Sequence, residues 1–347
     1  MRKVVHLGGF FQAEYSMLKS FEANGAEIVF LYDDKTGSYF PKDALYNNYK
    51  VDTYVKTVSE NALADFLKGY NPDVVIHRHY KLNPFMHRNA YKITSALGIP
   101  YGKYIMESDA NDVVDTTDRF TDCDFLMYTH NIDVITNAIK SYDADKQSHC
   151  YFYPYGVGAF EKSIFELRQN RIGCFGYYRG TFSDRIANAE TYVDAIRELG
   201  YKLHVYSPTK SKEGDWRRFK LANYLDIHPQ YNFENATKIM NRYSVAVNIE
   251  SLANLENMYS YKMFQSMGCG IPTLTWKRDC IEQLFGKSGE HVIMVSSKTN
   301  IKKWITTLME DKKYRENLGK RCEKYMHDNF DWYKRFEVIM KSEKIWQ

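Results

Sequence analysis

The sequence lacks several features that would place the protein in a specialised class. Its six cysteines are scattered among 347 residues, with no Cys-x-x-C pair and no histidine at metal-ligand spacing. This excludes a disulfide framework and a structural zinc site, and we assign no metal ligands. No apolar run approaches the roughly 18 residues of a membrane-spanning helix. The apolar run near the N-terminus is too short for a signal peptide, so we expect a soluble, cytoplasmic protein without a membrane span.

Positive and negative charges nearly balance in this sequence. The chain has 47 Lys and Arg against 43 Asp and Glu, for a net charge of +4. Such a weakly basic balance permits a polyanionic partner without requiring one. Hydrophobic residues make up 44% of the sequence, which is enough for a substantial core, and the length suits about two domains.

Short apolar strands alternate with helical patterns along the whole chain, a pattern typical of parallel α/β domains. The first series has predicted strands at residues 4–7, 28–31, 74–77 and 103–106. A second series begins near residue 171, after a turn at 153–158 and a polar stretch that together read as a linker. The sequence therefore predicts a domain over residues 1–160, a second over 170–330, and a final helix over 331–347.

The most informative stretch is residues 261–274, which reads as a helix, a Gly-Cys-Gly break, a proline and a short strand. In open α/β folds such a unit lies at the carboxyl ends of the strands, where ligands bind. Lys262 and Gln265 share one face near the start of the helix. A cation beside free backbone N–H groups suits a phosphate group.

This stretch resembles the nucleotide-binding signature of GT-B glycosyltransferases, Lys/Arg-x-x-Glu-x-Met-Ala-x-Gly-x-Pro. The resemblance implies two Rossmann-like domains facing a cleft and a C-terminal helix that crosses back to the first domain. It also implies a nucleotide-diphosphate sugar as co-substrate. The family's ribose-binding glutamate is Gln265 here, and a position where retaining members often carry a second glutamate is Asn257. Both departures favour an inverting enzyme, or a nucleotide site that has lost turnover.

A second candidate donor element follows the first strand of the second domain. There a strand leads through Gly176 and Arg179 into a helix that begins near Ser183 and carries Arg185. Glycine lets backbone approach a diphosphate, Ser183 can cap the helix, and arginines bind phosphate bidentately. With the Lys262 helix, this loop resembles CgeB-like glycosyltransferases and the tailed-phage DNA glucosyltransferases. That resemblance implies that Arg179, Arg185 and Lys262 bind the diphosphate of a UDP-linked donor.

Inverting transfer needs a general base for the acceptor hydroxyl. In the first domain, the stretch that ends in Asp109 resembles the phage enzymes' segment in which the final aspartate is the base. Glu107 and Asp112 are close enough in sequence to be rivals. Asp-x-Asp pairs at residues 122–124 and 143–145 resemble the metal motif of a different glycosyltransferase fold, but the pattern is too common to indicate a metal. A divalent metal is compatible with these motifs and not required by them.

The candidate acceptor residues form a basic segment with interleaved aromatic and histidine side chains, as on a surface that meets nucleic-acid backbone. They are Arg78, His79, Lys81 and Arg88. A second basic cluster lies at residues 210–220. A solvated charged face is the alternative interpretation of both, and the acids between residues 107 and 124 argue against a uniformly basic surface.

The leading hypothesis is therefore an inverting glycosyltransferase with a nucleotide-diphosphate sugar as donor and a hydroxymethylated base in double-stranded phage DNA as acceptor. A cell-surface or spore glycan or protein is the alternative acceptor. A GT-B-fold protein that binds nucleotides or glycans without turnover is a second alternative, favoured by Gln265 and Asn257. A periplasmic-type binding protein fits the architecture but does not explain the Arg and Lys set. The sequence identifies neither the sugar nor the oligomeric state.

Overall fold

The computed structural model divides into two compact units. The first contains Met1–Gly158 and Trp332–Gln347, and the second contains Ala159–Asp331. The structure describes residues 1–7, 12–31, 60–78, 84–105, 122–130, 133–176, 183–207, 215–231, 233–249 and 259–347. All six cysteines lie within these ranges and are free thiols. None of the helices in the described ranges is long and apolar enough to cross a membrane.

The first unit is built on a six-stranded parallel sheet. Its strands are β1 (Lys3–Leu7), β2 (Glu27–Leu31), β3 (Val74–Arg78), β4 (Tyr101–Ile105), β5 (Phe125–Tyr128) and β6 (Cys150–Phe152). Their spatial order is β2-β1-β3-β4-β5-β6. Strands β3 and β4 are buried along their whole length, as expected where helices cover both faces of a parallel sheet.

The helices of the first unit alternate with these strands. They are α1 (Gln12–Ala23), α2 (Glu60–Tyr70), α3 (Pro84–Ala96), α4 (Asp133–Lys140) and α5 (Ala144–Ser148). Leu63 and Leu67 of α2 pack with Val5 and Val75 of the sheet in one hydrophobic cluster. The helices from α3 to α5 and the strands β5 and β6 were absent from the sequence-based prediction.

The last helix of the chain, α12 (Trp332–Ser342), belongs to the first unit. The indole Nε1 of Trp332 donates to the Oγ of Ser16 at 3.1 Å, and the backbone N–H of Tyr333 donates to the Oγ of Ser20 at 3.0 Å. Arg335 donates from Nη2 to the carbonyl oxygen of Phe152 at 2.9 Å. These bonds fasten α12 to α1 and to the end of β6, which confirms the prediction that the final helix returns to the first domain.

The second unit contains another six-stranded parallel sheet, with spatial order β12-β11-β10-β7-β8-β9. Its strands are β7 (Gln169–Cys174), β8 (Leu203–Ser207), β9 (Leu225–Pro229), β10 (Tyr243–Val247), β11 (Thr273–Trp276) and β12 (Ile293–Val295). Two six-stranded parallel sheets with intervening helices confirm the α/β prediction. Strand β10 begins at Tyr243, which pairs with Gln169 of β7.

The second unit also has six helices within the described ranges, all but one of at least eight residues. They are α6 (Ser183–Glu198), α7 (Phe233–Met240), α8 (Tyr261–Gly268), α9 (Asp279–Phe285), α10 (Lys298–Glu310) and α11 (Lys312–Asn329). Helix α8 ends at Gly268, and Gly270 just beyond it has a φ of +64°, the left-handed conformation that favours glycine. The N–H of Ile271 then bonds to the carbonyl of Ser266 at 3.0 Å, which completes the helix end.

Helices α8 and α11 approach each other so closely that only glycine fits between them. A Cβ placed on Gly319 would lie 2.3 Å from the carbonyl oxygen of Gly270. Because that oxygen belongs to backbone, it cannot rotate away as a side chain would. This contact sets the distance between α8 and α11, and so determines how α8 lies in the second unit.

We expect Gly319→Ala to lower the free energy of unfolding by about 1–3 kcal/mol, since the added methyl group forces the two helices apart. Gly69→Ala is the matched control, because a Cβ at that helical glycine meets nothing within 4 Å. It should leave stability unchanged or raise it by up to about 1 kcal/mol. Urea unfolding of the three proteins measures both effects, and equal stability of Gly319→Ala and the wild type would contradict the close contact.

Candidate functional site

The carboxyl ends of β7 and β10 lie side by side in the second unit, because these strands pair directly in parallel. The chain leaves β7 through Gly176 toward α6, and it reaches α8 after β10. Helix α8 then leads into β11, which pairs with β10 in parallel. The start of α8 and the start of α6 are therefore at the same edge of the sheet, the edge where open α/β folds bind ligands.

Helix α8 begins at an N-cap residue that leaves its first turn open. Ser260 is this N-cap, and its side chain makes no capping hydrogen bond within the described part of the chain. The first N–H groups of a helix have no partner inside the helix and carry its positive partial charge. The start of α8 is thus suited to an anionic group.

Lys262 lies in this first turn and is partly buried. Its Nζ donates to the hydroxyl of Tyr231 at 3.3 Å and lies 5.3 Å from the centre of that ring. It also lies 5.9 Å from the ring centre of Tyr261. Burial lowers the pKa of Lys262 to about 7, while the negative charge of Glu161 acts to raise it. The amine therefore gains or loses its proton near neutral pH, and a bound anion would favour the charged form.

Gln265 is completely buried and faces a buried carboxylate. Its Nε2 donates to the Oε1 of Glu161 at 3.3 Å, and the hydroxyl of Tyr261 donates to the same oxygen at 2.9 Å. Glu161 is likewise 0% exposed. Lys262 and Gln265 share one face as the sequence predicts, and that face is directed at Glu161.

Glu161 is held by a network of bonds along the segment that precedes β7. The Nε2 of His327 in α11 contacts its backbone carbonyl at 2.5 Å. Ser163 donates from its N–H and its hydroxyl to Glu323 at 2.9 and 2.5 Å. The N–H of Ile164 donates to the Oδ1 of Asn241 at 2.8 Å. What reads in the sequence as a linker is therefore a fixed part of the second unit.

Arg168 completes this network at the other end of α8. Its guanidinium donates to the carbonyl oxygens of Cys269 and Gly270 at 2.7 and 2.9 Å. These carbonyls end the helix, where a cation is favourable because the helix dipole is negative there. Burial lowers the pKa of Arg168 to about 10, so the side chain keeps its charge at neutral pH.

The second predicted element is held by a buried arginine and a buried tryptophan. Arg185 is 3% exposed, and a Cβ placed on Gly176 would lie 3.2 Å from its Nη2. The carbonyl oxygen of Gly176 accepts a hydrogen bond from the indole of Trp216 at 3.0 Å. Burial raises the pKa of Cys174, while the nearby charge of Arg185 opposes that rise. The arginine thus lies at the carboxyl end of β7, on the ligand-binding edge of the sheet.

Several predicted site residues fall outside what the structure describes. The predicted base Asp109, its rivals Glu107 and Asp112, and the donor residue Arg179 lie outside the described residues, as do Asn257, His79 and Lys81. Ser183 and Arg88 lie in α6 and α3, but their side chains lie outside the described part. The roles of these residues stay predictions.

Arg78, a predicted acceptor residue, is buried inside the first unit with 2% exposure. Its guanidinium forms an ion pair with Glu14 of α1, which is itself fully buried. The neighbouring His6 is also fully buried, and burial together with the charge of Arg78 lowers its pKa to about 3. Arg78 therefore has an internal carboxylate partner, which competes with any external phosphate.

A histidine and aspartate group lies at the outer edge of the second sheet. His204 of β8 and Asp226 and His228 of β9 have ligand-type atoms within 4.8 Å of one another. The Nδ1 of His204 and the Nε2 of His228 are 2.9 Å apart, and the ring planes differ by only 4°. The ring centres are 5.2 Å apart, about the N···N distance plus the two ring radii, so the rings lie edge to edge in one plane. Each nitrogen is aimed at the other, as in a hydrogen bond and unlike two ligands that converge on an ion.

One aspartate of each Asp-x-Asp pair has a structural role. The Oδ2 of Asp124 accepts from the backbone N–H of Tyr101 at 2.7 Å, which joins β4 to the turn before β5. Asp143 is the N-cap of α5 and accepts from the N–H of Lys146 at 2.8 Å. Both carboxylates are occupied by backbone donors.

Part of the chain is similar to a known protein family. Residues 185–341 match the family model described as glycosyl transferase-like. This match runs from Arg185 in α6 to Lys341 in α12 and includes Lys262 and Gln265. A comparison with curated proteins gave no significant sequence match.

Solved structures share the fold at low sequence identity. A sucrose-phosphate synthase from Thermosynechococcus elongatus is similar over 98% of this chain and 99% of that chain, with 10% identity and a TM-score of 0.64. Anabaena HepE, solved in complex with UDP-glucose, is similar over 99% of this chain and all of that chain, with 9% identity and a TM-score of 0.65. A UDP-GlcNAc 2-epimerase from Neisseria meningitidis, bound to UDP-GlcNAc, is similar over 98% of this chain and all of that chain, with 12% identity and a TM-score of 0.57.

The lowered pKa of Lys262 predicts that the free energy of unfolding depends on pH. Between the folded pKa of about 7 and the ordinary value of 10.5, the unfolded chain holds a proton that the folded chain does not. The free energy of unfolding should therefore rise with pH in this window, and the gain should be lost as pH falls through about 7. Lys262→Met is the reference, because it keeps the stem and cannot titrate. Urea unfolding of both proteins from pH 6 to 9 measures the difference, and parallel stability curves would contradict the shift.

Proposed function

We propose that the chain is a glycosyltransferase of the GT-B fold, and that its second unit binds a UDP-linked sugar at the carboxyl edge of the sheet. The observation that carries the proposal is that a lysine in the open first turn of α8 and a buried arginine at the start of α6 belong to the same sheet edge. Two cations and a helix N-terminus at one edge suit the two phosphates of a nucleoside diphosphate.

The charge of Lys262 fits a group that acts on the leaving diphosphate. When the bond from the sugar to the diphosphate breaks, negative charge develops on the departing oxygen, and nearby cations stabilise it. Lys262, Arg185 and Arg179 are the residues proposed for this role. Because the amine has a pKa of about 7 in the free protein, donor binding would draw a proton onto it at neutral pH.

We propose that transfer inverts the anomeric centre. In this reaction the acceptor hydroxyl attacks the anomeric carbon directly while a base removes its proton, and the sugar–phosphate bond breaks on the opposite side. Asp109 is the proposed base. The glutamine at residue 265 and the asparagine at residue 257 support inversion, because they stand where retaining relatives often carry glutamates.

Two acceptor classes follow from the sequence. A hydroxymethylated base in double-stranded DNA is proposed from the resemblance to phage enzymes, and a surface glycan or protein is the alternative. The burial of Arg78 against Glu14 removes one of the basic side chains on which the DNA proposal depended. Salt separates the two classes, because DNA binding through several phosphates weakens steeply with ionic strength.

A binding protein without turnover is the competing function. Its motivation is Gln265, which replaces a charged residue of the family signature with a neutral one. The buried Glu161 beside it, however, keeps one carboxylate in contact with the same helix. The site therefore keeps a negative charge next to Gln265, which favours an enzyme over a binding protein without turnover.

Removing either cation should weaken nucleotide binding. We expect Lys262→Ala and Arg185→Ala each to reduce UDP affinity by about tenfold or more, because a hydrogen bond to a charged group contributes about 1.5–3 kcal/mol. The control is Arg197→Ala, which removes an exposed arginine of the same helix α6 that pairs with Asp194. Isothermal titration with a panel of nucleotides and nucleotide sugars measures the effect. The proposal fails if the wild type binds no member of the panel.

Substitution of the proposed base should separate binding from transfer. We expect Asp109→Asn to reduce sugar transfer by about a hundredfold or more while UDP affinity changes less than twofold, because general-base catalysis contributes about 10²–10⁴-fold. Asp112→Asn tests the rival carboxylate of the same segment and should leave transfer unchanged. Transfer from labelled UDP-glucose and UDP-N-acetylglucosamine is measured with hydroxymethylated DNA and with glycan acceptors, with and without EDTA. Full activity of Asp109→Asn would exclude Asp109 as the base.

A further inference from the structure

Residue 265 is a neutral glutamine where the helix signature has a glutamate. A glutamate that lies 104 positions earlier in the chain, Glu161, contacts this glutamine. Glu161 presents one carboxylate oxygen to two side chains of α8. The hydroxyl of Tyr261 donates to its Oε1 at 2.9 Å, and the amide of Gln265 donates to the same atom at 3.3 Å. A carboxylate therefore contacts the same face of α8 on which relatives carry their own glutamate.

The position of this carboxylate is set by the fold. Its segment is tied to α11 through His327 and Glu323 and to the end of α7 through Asn241. Both Glu161 and Gln265 are 0% exposed. A side chain enclosed in this way is suited to support its neighbours and poorly placed to meet a ribose that arrives from solvent.

The charge of Glu161 acts on Lys262. Among the groups that face the amine, Tyr231 accepts a hydrogen bond from it at its hydroxyl, and the rings of Tyr231 and Tyr261 lie within 6 Å of it. Glu161 is the charged group whose field raises the pKa of Lys262, in opposition to burial. Without that field, burial would leave less of the amine protonated at neutral pH.

We propose that Glu161 is a positioning residue of the donor site, which holds Tyr261 and Gln265 in place and supplies a negative charge next to the start of α8 without itself contacting the nucleotide. The proposal rests on the donor function proposed for the second unit. It also gives Gln265 a supporting role in place of the ribose contact that the family resemblance implies. The carboxylate that the signature has on the helix is supplied here by Glu161, in the segment that precedes β7.

The test compares Glu161→Gln with the wild type by titration of UDP and of inorganic pyrophosphate between pH 5.5 and 8.5. Loss of a close opposite charge lowers a pKa by roughly one unit or more, so at pH 8 we expect about tenfold weaker binding of both probes. At pH 5.5 the amine is protonated in both proteins, and the affinities should agree within about twofold. Glu166→Gln, which neutralises an exposed glutamate of the same segment, is the control and should match the wild type throughout.

The two probes separate a phosphate effect from a ribose effect. An equal loss for UDP and pyrophosphate is the expected result, because Lys262 is proposed to act on the phosphates. A loss confined to UDP would mean that Glu161 or Gln265 acts on the nucleoside, and it would overturn the proposal. A loss of equal size at every pH would indicate a general structural role and would overturn it as well.

The double variant Glu161→Gln/Gln265→Glu moves the carboxylate back to the helix. Because the pair then keeps one charge and one amide in contact, we expect pH-dependent binding to recover to within about threefold of the wild type. Recovery also rules out misfolding as the cause of the loss in the single variant. Failure to recover, with an intact thermal unfolding transition, would show that the charge is required specifically at residue 161 and would contradict the transferred-carboxylate explanation.

A final measurement does not depend on any nucleotide. The rate at which Lys262 reacts with acetic anhydride, followed by mass spectrometry across pH, reports its pKa in the free protein. We expect the midpoint to shift to lower pH in Glu161→Gln and to stay in place in Glu166→Gln. If the midpoint shifts but no nucleotide binds the wild type, the donor function is wrong and the charge coupling is right. If nucleotide binds and the midpoint does not shift, the coupling is wrong.

Discussion

The close approach of α8 and α11 at Gly270 and Gly319 is the constraint on which the second unit depends. Because a backbone carbonyl occupies the place of the missing side chain, the two helices can settle at only one distance. Glu323 of α11 is then in position to hold Ser163, while Arg168 reaches the carbonyl groups that end α8. These bonds fix both ends of the segment from Ser163 to Arg168. A packing contact with no chemistry of its own thus determines where the polar groups of the site lie.

The electrostatics of the site follow from this burial. A lysine at a helix start and an arginine at a strand end would be ordinary solvated cations on an exposed surface. Enclosure lowers the pKa of Lys262 toward neutrality, and the buried carboxylate of Glu161 works against that change. Arg185 is enclosed beside Gly176 and keeps its charge because a guanidinium is a far weaker acid. The protein therefore combines one permanent cation with one whose charge responds to its surroundings.

The sequence predicted most of the fold because the strand and helix patterns are local. The alternation of apolar strands and the Gly-Cys-Gly break after α8 indicated two parallel sheets, and these are present. Gly176, Arg185 and Lys262 could be proposed as site residues because they belong to motifs with fixed spacing. Glu161 was missed because it lies in a stretch that reads as a linker and meets Gln265 across 104 positions. Arg78 was predicted to lie on a surface, because a run of basic residues in the sequence does not reveal the ion pair that Arg78 forms with Glu14 of α1.

The return of α12 to the first unit gives the two halves of the chain different folding histories. The second unit, Ala159–Asp331, is one continuous stretch and emerges from the ribosome complete. The first unit begins earlier, but Trp332 and Tyr333, which bind Ser16 and Ser20 of α1, follow the whole of the second unit in the chain. If each unit folds as a whole during synthesis, the second unit has all of its residues before the first has α12. Helix α12 can cover α1 only after the second unit has been translated.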